Sequence, residues 1–153
     1  MIKLDSLDHQ LLKYLQQDAK KTTKELALLL GLSNTAVYER IKKLERQKII
    51  TNYVALIDKE KVEKDFMVLC QVKLSQHVKN NIIQFEREVL KLEEVLECYH
   101  VSGDYDYILK VLVKNMDAYR KFIIEKLTVI SGIGSTQSTF VIKEVKNTTL
   151  IVS

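Results

Sequence analysis

Along residues 3–50 the apolar positions recur at helical spacing, whereas beyond residue 66 stretches alternating in twos interleave with further helical stretches. Leu4, Leu7, Leu11, Leu12 and Leu15 form one stripe, which predicts a helix from residue 5 to about 19 with Asp5 as its cap. Lys20 and Lys21 interrupt it. Thr22 or Thr23 then caps a second helix that ends at Leu30, with Leu26 and Leu29 expected inside and Ala27 small enough for a close crossing. Gly31 suits the left-handed residue that ends a helix. Leu32 can plug the gap between helices, and Ser33 caps a third helix reaching about Gln47. Two helices joined by Gly31-Leu32-Ser33 have the layout of a helix-turn-helix, whose second helix is free to enter a DNA groove.

Ile50 to Ile57 is β-prone, so a short strand or wing is expected before a charged link, and the chain has no proline to stiffen it. Val68, Cys70, Val72 and Leu74 alternate as a half-buried strand does. Ile82, Phe85, Val89 and Leu92 fall at helical spacing. Val95 to Val101 alternates again, Ser102-Gly103-Asp104 is turn chemistry, and Tyr105 to Val113 resumes a strand. Met116, Tyr119, Ile123, Leu127 and Ile130 mark another helix, and Thr136 to Val145 the last strand. The order is the ferredoxin-like βαββαβ unit. The expected class is therefore α+β: a helix-turn-helix, winged-helix-like domain over residues 1–50, a hinge strand and linker over 51–65, and a ferredoxin-like domain over 66–153.

Stepping 100° per residue from Thr35 splits the third helix in two. Val37, Ile41 and Leu44 fall together at roughly 180–240°. Thr35, Tyr38, Glu39, Lys42 and Arg46 fall within about 60° of zero and face outward. Asn34, Thr35 and Tyr38 suit base edges, and Lys42, Lys43 and Arg46 suit phosphates, with Arg40 toward the flank. Thr23 and Ser33, at the starts of their helices, complete the candidate DNA-binding set. Charge agrees: residues 1–50 hold ten Lys/Arg against six Asp/Glu, and the rest hold fourteen of each, so the whole net charge of +4 lies in the first fifty residues. Glu39 and Glu45 run against the pattern, because a carboxylate on a docking face repels phosphate.

The Ser102–Asp106 stretch is a β-turn on its own terms. It is also a candidate small-ligand site, Ser102-Gly103-Asp104-Tyr105-Asp106: exposed backbone N–H groups of the turn can hold a carboxylate, and Asp104 or Asp106 an ammonium group, so a zwitterionic amino acid fits. Ser135, Thr136, Gln137, Ser138 and Thr139 form a second polar run, equally readable as edge-strand residues of high β-propensity. No catalytic or metal constellation accompanies them. His9, His77 and His100 lack ligand spacing with Cys70 and Cys98, and two ligands such as Cys98 and His100 do not make a site. Neither a nucleophile elbow, a phosphate loop nor a dinucleotide fingerprint occurs. An enzyme is therefore not expected, nor a resident cofactor. No apolar run approaches the ~20 residues of a membrane span, and the acidic residues of MIKLDSLDHQ sit where a signal peptide needs an apolar core. No membrane partner is expected, and a reducing cytoplasm fits the two cysteines.

Several stretches together resemble the Lrp/AsnC (leucine-responsive, feast/famine) transcriptional regulators over essentially the whole chain. They are Leu4-Asp5-x-x-Asp8, Glu25-Leu26-Ala27-x-x-x-Gly31-Leu32-Ser33, Val37-x-x-Arg40-Ile41-x-x-Leu44-Glu45, Cys98-Tyr99-x-Val101-x-Gly103-Asp104-Tyr105-Asp106-Tyr107, Met116-x-Ala118-Tyr119-Arg120 and Lys143-Glu144-Val145-Lys146. The chain departs at Ile130-Ser131-Gly132-Ile133, where many members have proline before glycine. The resemblance implies an N-terminal domain on double-stranded DNA, a hinge strand, and an effector domain that pairs into homodimers and assembles into rings, commonly octamers. It also implies an amino acid bound between dimers near Gly103–Asp106 and Ser135–Thr139. The expected function is a DNA-binding transcriptional regulator whose DNA affinity or assembly state responds to an amino acid. An architectural DNA-wrapping protein of little sequence preference is the alternative, and a metabolite-binding module with an incidental helix-turn-helix a third.

Overall fold

The computed structural model describes residues 3–76 and 78–152. His77, one of the three histidines considered above, lies outside the described residues. The chain forms two compact units, Met1–Leu56 with Val145–Ser153 and Ile57–Glu144.

In the first unit, local caps set the helices. Helix α1 spans Ser6–Gln17 and opens with a reciprocal capping box: Asp5 Oδ1 accepts from the Asp8 N–H at 2.7 Å, and Asp8 Oδ2 accepts from the Asp5 N–H at 3.3 Å. Helix α2, Thr23–Leu30, repeats the device with Thr22 and Glu25, and Gly31 ends it at φ 64°. Helix α3, Asn34–Arg46, starts from Ser33, whose Oγ accepts from the Ala36 N–H at 3.2 Å. Leu11, Leu12, Leu15, Leu26, Ala27, Leu30, Val37 and Leu44 form the core, with Leu32 and Ile41 packed at its edge.

Three expectations are corrected in this unit. Leu29 is 48% exposed and Leu30 is buried instead. Ala27 belongs to the buried arc and swings its centre from Leu26 toward Leu30, which turns Leu29 outward. The β-prone stretch after α3 is no strand or wing: residues 51–58 are exposed and have no ladder partner among the described residues, and propensity without a partner makes no strand. Finally, residues 145–152 belong with the first unit rather than with the sheet. The Gln16 side chain clasps this tail, its Nε2 donating to the Thr149 carbonyl at 2.6 Å and its Oε1 accepting from the Val152 N–H at 3.0 Å, while Val152 packs against the leucine core. A single side-chain amide makes this clasp, and periodicity carries no signal of it.

The second unit is a four-stranded antiparallel sheet in the order β2-β3-β1-β4, with β1 Phe66–Leu74, β2 Val95–His100, β3 Tyr107–Val113 and β4 Ile133–Phe140. Helices α4, Lys79–Val89, and α5, Met116–Phe122, contribute to one core with alternate residues of the sheet: Val68, Cys70, Val72, Leu74, Tyr107, Leu109, Val111 and Val113 against Phe85, Val89, Tyr119 and Phe122. A π turn, Ile123–Leu127, extends α5. It brings Phe122 and Leu127, five residues apart and both buried, onto one face.

Strand boundaries also move. Strand β3 starts at Tyr107 rather than Tyr105. Strand β4 runs from Ile133 to Phe140 rather than from Thr136 to Val145, its ladder with β1 running from Ile133 opposite Leu74 to Phe140 opposite Val68. Gly134, the second residue of β4, is tightly placed: a Cβ there would stand 3.1 Å from the Ser75 backbone, next to the register shift at Lys73/Leu74.

Candidate nucleic-acid interface and effector site

The caps of α3 leave its first turns outward. Asn34, Thr35, Tyr38, Glu39 and Arg46 are exposed, Tyr38 by 49%. The Ser33 hydroxyl is engaged as a cap, and Thr23 is half-buried in the first turn of α2. Lys42 and Lys43 are half-buried.

Arg40 stands apart from the others. Its Nη1 donates to Asp8 Oδ1 at 2.6 Å and to Asp5 Oδ2 at 2.8 Å, and Asp8 is 0% exposed. Lys43 Nζ approaches the other Asp8 oxygen at 3.4 Å. These carboxylates raise the Arg40 pKa further, and the Asp8 N–H, then Arg40, hold the Asp5 carboxyl below its ordinary value. The Arg40 charge is thus committed to locking α3 onto the start of α1 and is not presented to a groove. The sequence marks Asp5 as a helix cap but gives Asp8 no role of its own; the spacing of three between them is the capping-box signature that points to Asp8.

Lys42 has two neighbours on its own helix. It donates to Glu45 Oε2 at 2.8 Å and stands 5.8 Å from the Tyr38 ring centroid. Glu45 therefore sits beside a cation, which holds its carboxyl below the ordinary value.

In the second unit the two polar runs meet at one point. The Tyr105 hydroxyl donates to Gln137 Oε1 at 2.6 Å. Gly103, at φ 133°, and Asp104 are exposed, and a Cβ on Gly103 would meet open space. Asp106 points the other way. It is buried, and its Oδ2 accepts from the Leu74 N–H at 2.7 Å, so it clasps the end of β1. The expectation that Asp106 offers a carboxylate to a ligand is corrected on that geometry.

The pentad 135–139 is split by the strand period of two. Thr136 and Ser138 lie opposite the buried Val72 and Cys70, on the helix-covered face. Ser138 Oγ and the Tyr119 hydroxyl are 2.6 Å apart. Ser135, Gln137 and Thr139 lie on the other face, opposite Lys73, Gln71 and Leu69. Among the described residues no group of three or more His, Cys, Asp or Glu could hold a metal ion, and no helix is long and apolar enough to cross a membrane.

A capped helix-turn-helix and a separate α/β unit with a polar turn define a two-domain regulator. The profile of the AsnC-type helix-turn-helix domain matches residues 4–45, and that of the Lrp/AsnC ligand binding domain matches residues 67–151. The chain belongs to the Lrp/AsnC family of transcriptional regulators. It is 38% identical to the leucine-responsive regulatory protein of Escherichia coli strain K12 over 149 residues, which cover 97% of this chain and 91% of that one. A transcriptional regulator of Neisseria meningitidis, solved in complex with L-Met, superposes with a TM-score of 0.92 at 33% identity, covering 96% of this chain and 95% of that one. An AsnC family regulator of Agrobacterium tumefaciens superposes at 0.93 and 33% identity, covering 97% and 96%. The Neisseria and Agrobacterium relatives are transcriptional regulators, and the Escherichia coli relative is a regulatory protein.

Proposed function

We propose that this regulator binds double-stranded DNA through α3 and that a small amino acid modulates its DNA affinity or its assembly. The observation that carries the reading is the exposed N-terminal half of α3, where Asn34, Thr35 and Tyr38 face outward while Arg40 is spent on fixing the helix angle. Base contacts fall to these three residues, and phosphate contacts to Lys42, Lys43 and Arg46. The effector surface in this reading is Gly103, Asp104 and Tyr105 with Ser135, Gln137 and Thr139, joined by the Tyr105–Gln137 hydrogen bond, and the L-Met complex of the Neisseria relative supports an amino acid as the class of effector. The exposed, β-prone segment 51–58 has an open backbone that a second copy can pair with, which supports a homodimer as the unit of assembly into a higher oligomer such as an octamer. The cytoplasm, where DNA and free amino acids coexist, is the proposed location.

The experiment is a thermal-shift screen of the full chain against the twenty amino acids, with salt-titrated binding to duplex DNA for each responder. A ligand at about a hundred times its Kd stabilises by about 2.7 kcal/mol, a readily measured shift. Lys42→Ala with Lys43→Ala should weaken DNA binding and flatten its salt dependence. Binding that ignores both salt and this double substitution would sink the docking scheme.

A further inference from the structure

Glu45 has a second partner beyond Lys42. Its Oε1 accepts from the Tyr53 hydroxyl at 3.1 Å. Tyr38, Lys42, Glu45 and Tyr53 thus form one continuous series, from the outward face of α3 to the exposed segment that leads out of the first unit at Leu56. Burial, and then Glu45, pushes the Tyr53 pKa up to about 12, so its hydroxyl is a donor at physiological pH. Lys42 keeps Glu45 ionised, so the carboxylate accepts from both sides.

We propose that Glu45 is a positioning residue which makes the DNA-facing charge of Lys42 depend on where the linker carries Tyr53. This rests on the DNA-binding reading above. A carboxylate on the docking side competes with phosphate for the lysine and is itself repelled by the backbone. The Tyr53 hydroxyl takes up part of that negative charge and loosens the hold on Lys42, whose three N–H donors can then be shared with a phosphate. When the linker lifts Tyr53 away, Glu45 keeps Lys42 and turns a bare charge toward the DNA. A seated tyrosine therefore means tighter binding, a lifted one weaker binding. Any event that displaces the linker changes DNA affinity by linkage, with no contact between effector and DNA.

The test is a double-mutant cycle in the full chain, read as affinity for a fluorescent mixed-sequence DNA duplex across a salt titration. Tyr53→Phe should weaken binding about two- to fivefold, the range of an exposed charge contact. Glu45→Gln should tighten binding and steepen the log–log salt slope by about 0.9, one further phosphate contact. In the Glu45→Gln background, Tyr53→Phe should have no further effect. Glu45→Ala serves as a second probe and should match Glu45→Gln in slope. An equal loss from Tyr53→Phe in both backgrounds would make the tyrosine merely structural and overturn the proposal. So would a wild-type slope in both Glu45 variants. Absence of salt-dependent binding by the wild-type chain would instead remove the DNA-binding reading itself.

Discussion

Replacing Arg40 by alanine separates two roles that a basic residue on α3 can have. In the structure its guanidinium faces Asp8, which is fully buried, and Asp5, which caps α1. Unit charges about 4 Å apart interact by about 4 kcal/mol at an effective dielectric constant of about 20, much of it offset by desolvation. Truncation leaves Asp8 as a buried charge, and breaking such a pair destabilises by about 3–5 kcal/mol. Lys43 Nζ, 3.4 Å from the other Asp8 oxygen, remains as partial compensation, which favours the lower end. About 3 kcal/mol in a unit of this size lowers Tm by about 12–24 °C. The assay is far-UV circular dichroism melting of the full chain, followed by DNA binding at a temperature where the variant is folded. Arg40→Lys should recover part of the loss, because a single guanidinium nitrogen serves both carboxylates at 2.6 and 2.8 Å, a pattern that one ammonium with three donors can also make. Asp8→Leu with Arg40→Met should recover most of the loss by removing both charges together. An unchanged melting temperature with a large fall in DNA affinity would refute this account and return Arg40 to the docking face.

The remaining expectations concern both units. Asp106→Ala should lower the melting of the sheet unit by about 1–3 kcal/mol, since the buried Leu74 N–H loses its acceptor, whereas Asp104→Ala should melt as wild type while changing any amino-acid response. A wild-type melt for Asp106→Ala would contradict the clasp. Acid should weaken the first unit. Asp5 is held below the ordinary carboxylate value by the Asp8 N–H and Arg40, and Glu25 by the Thr22 N–H and hydroxyl, so their contribution is present above about pH 4 and is lost as pH falls through the lowered folded values. Helicity that falls instead on raising pH from about 5 to 8 would reverse that sign. Both thiols should react slowly with a disulfide reagent in the native protein, because burial raises the pKa of Cys70 and of Cys98 and suppresses the thiolate; immediate reaction of both would disagree.

Legibility of the fold followed the range of the interactions. The helix boundaries around Asp5, Thr22, Gly31 and Ser33 were readable because a cap is a local event, complete within four residues. The ferredoxin-like order was readable because strand and helix periods differ. What failed was set by partners distant in sequence. The ladder of β4 with β1 closes at Phe140 opposite Val68, residues 51–58 have no ladder partner among the described residues, and Asp106 turns inward to an amide thirty-two positions earlier. At the site, Ser135 to Thr139 read either as a polar run or as edge-strand residues; β4 does lie at the edge of the sheet, and the pleat divides the five residues between two faces. Arg40 looked like a docking residue because a one-dimensional pattern cannot show that Asp8 lies beneath it.

The Gln16 clasp has a temporal consequence. The first unit is interrupted in sequence: the chain leaves it at Leu56 and rejoins it at Val145. Thr149 and Val152, which dock on Gln16, therefore leave the ribosome only after all of the intervening sheet unit has been made. A nascent chain can form the three helices early, but it cannot close their leucine core against Val152 until the ligand-binding half has emerged. Completion of the DNA-binding unit is thereby deferred, and a product broken off within the sheet would carry a helix-turn-helix lacking its final clasp.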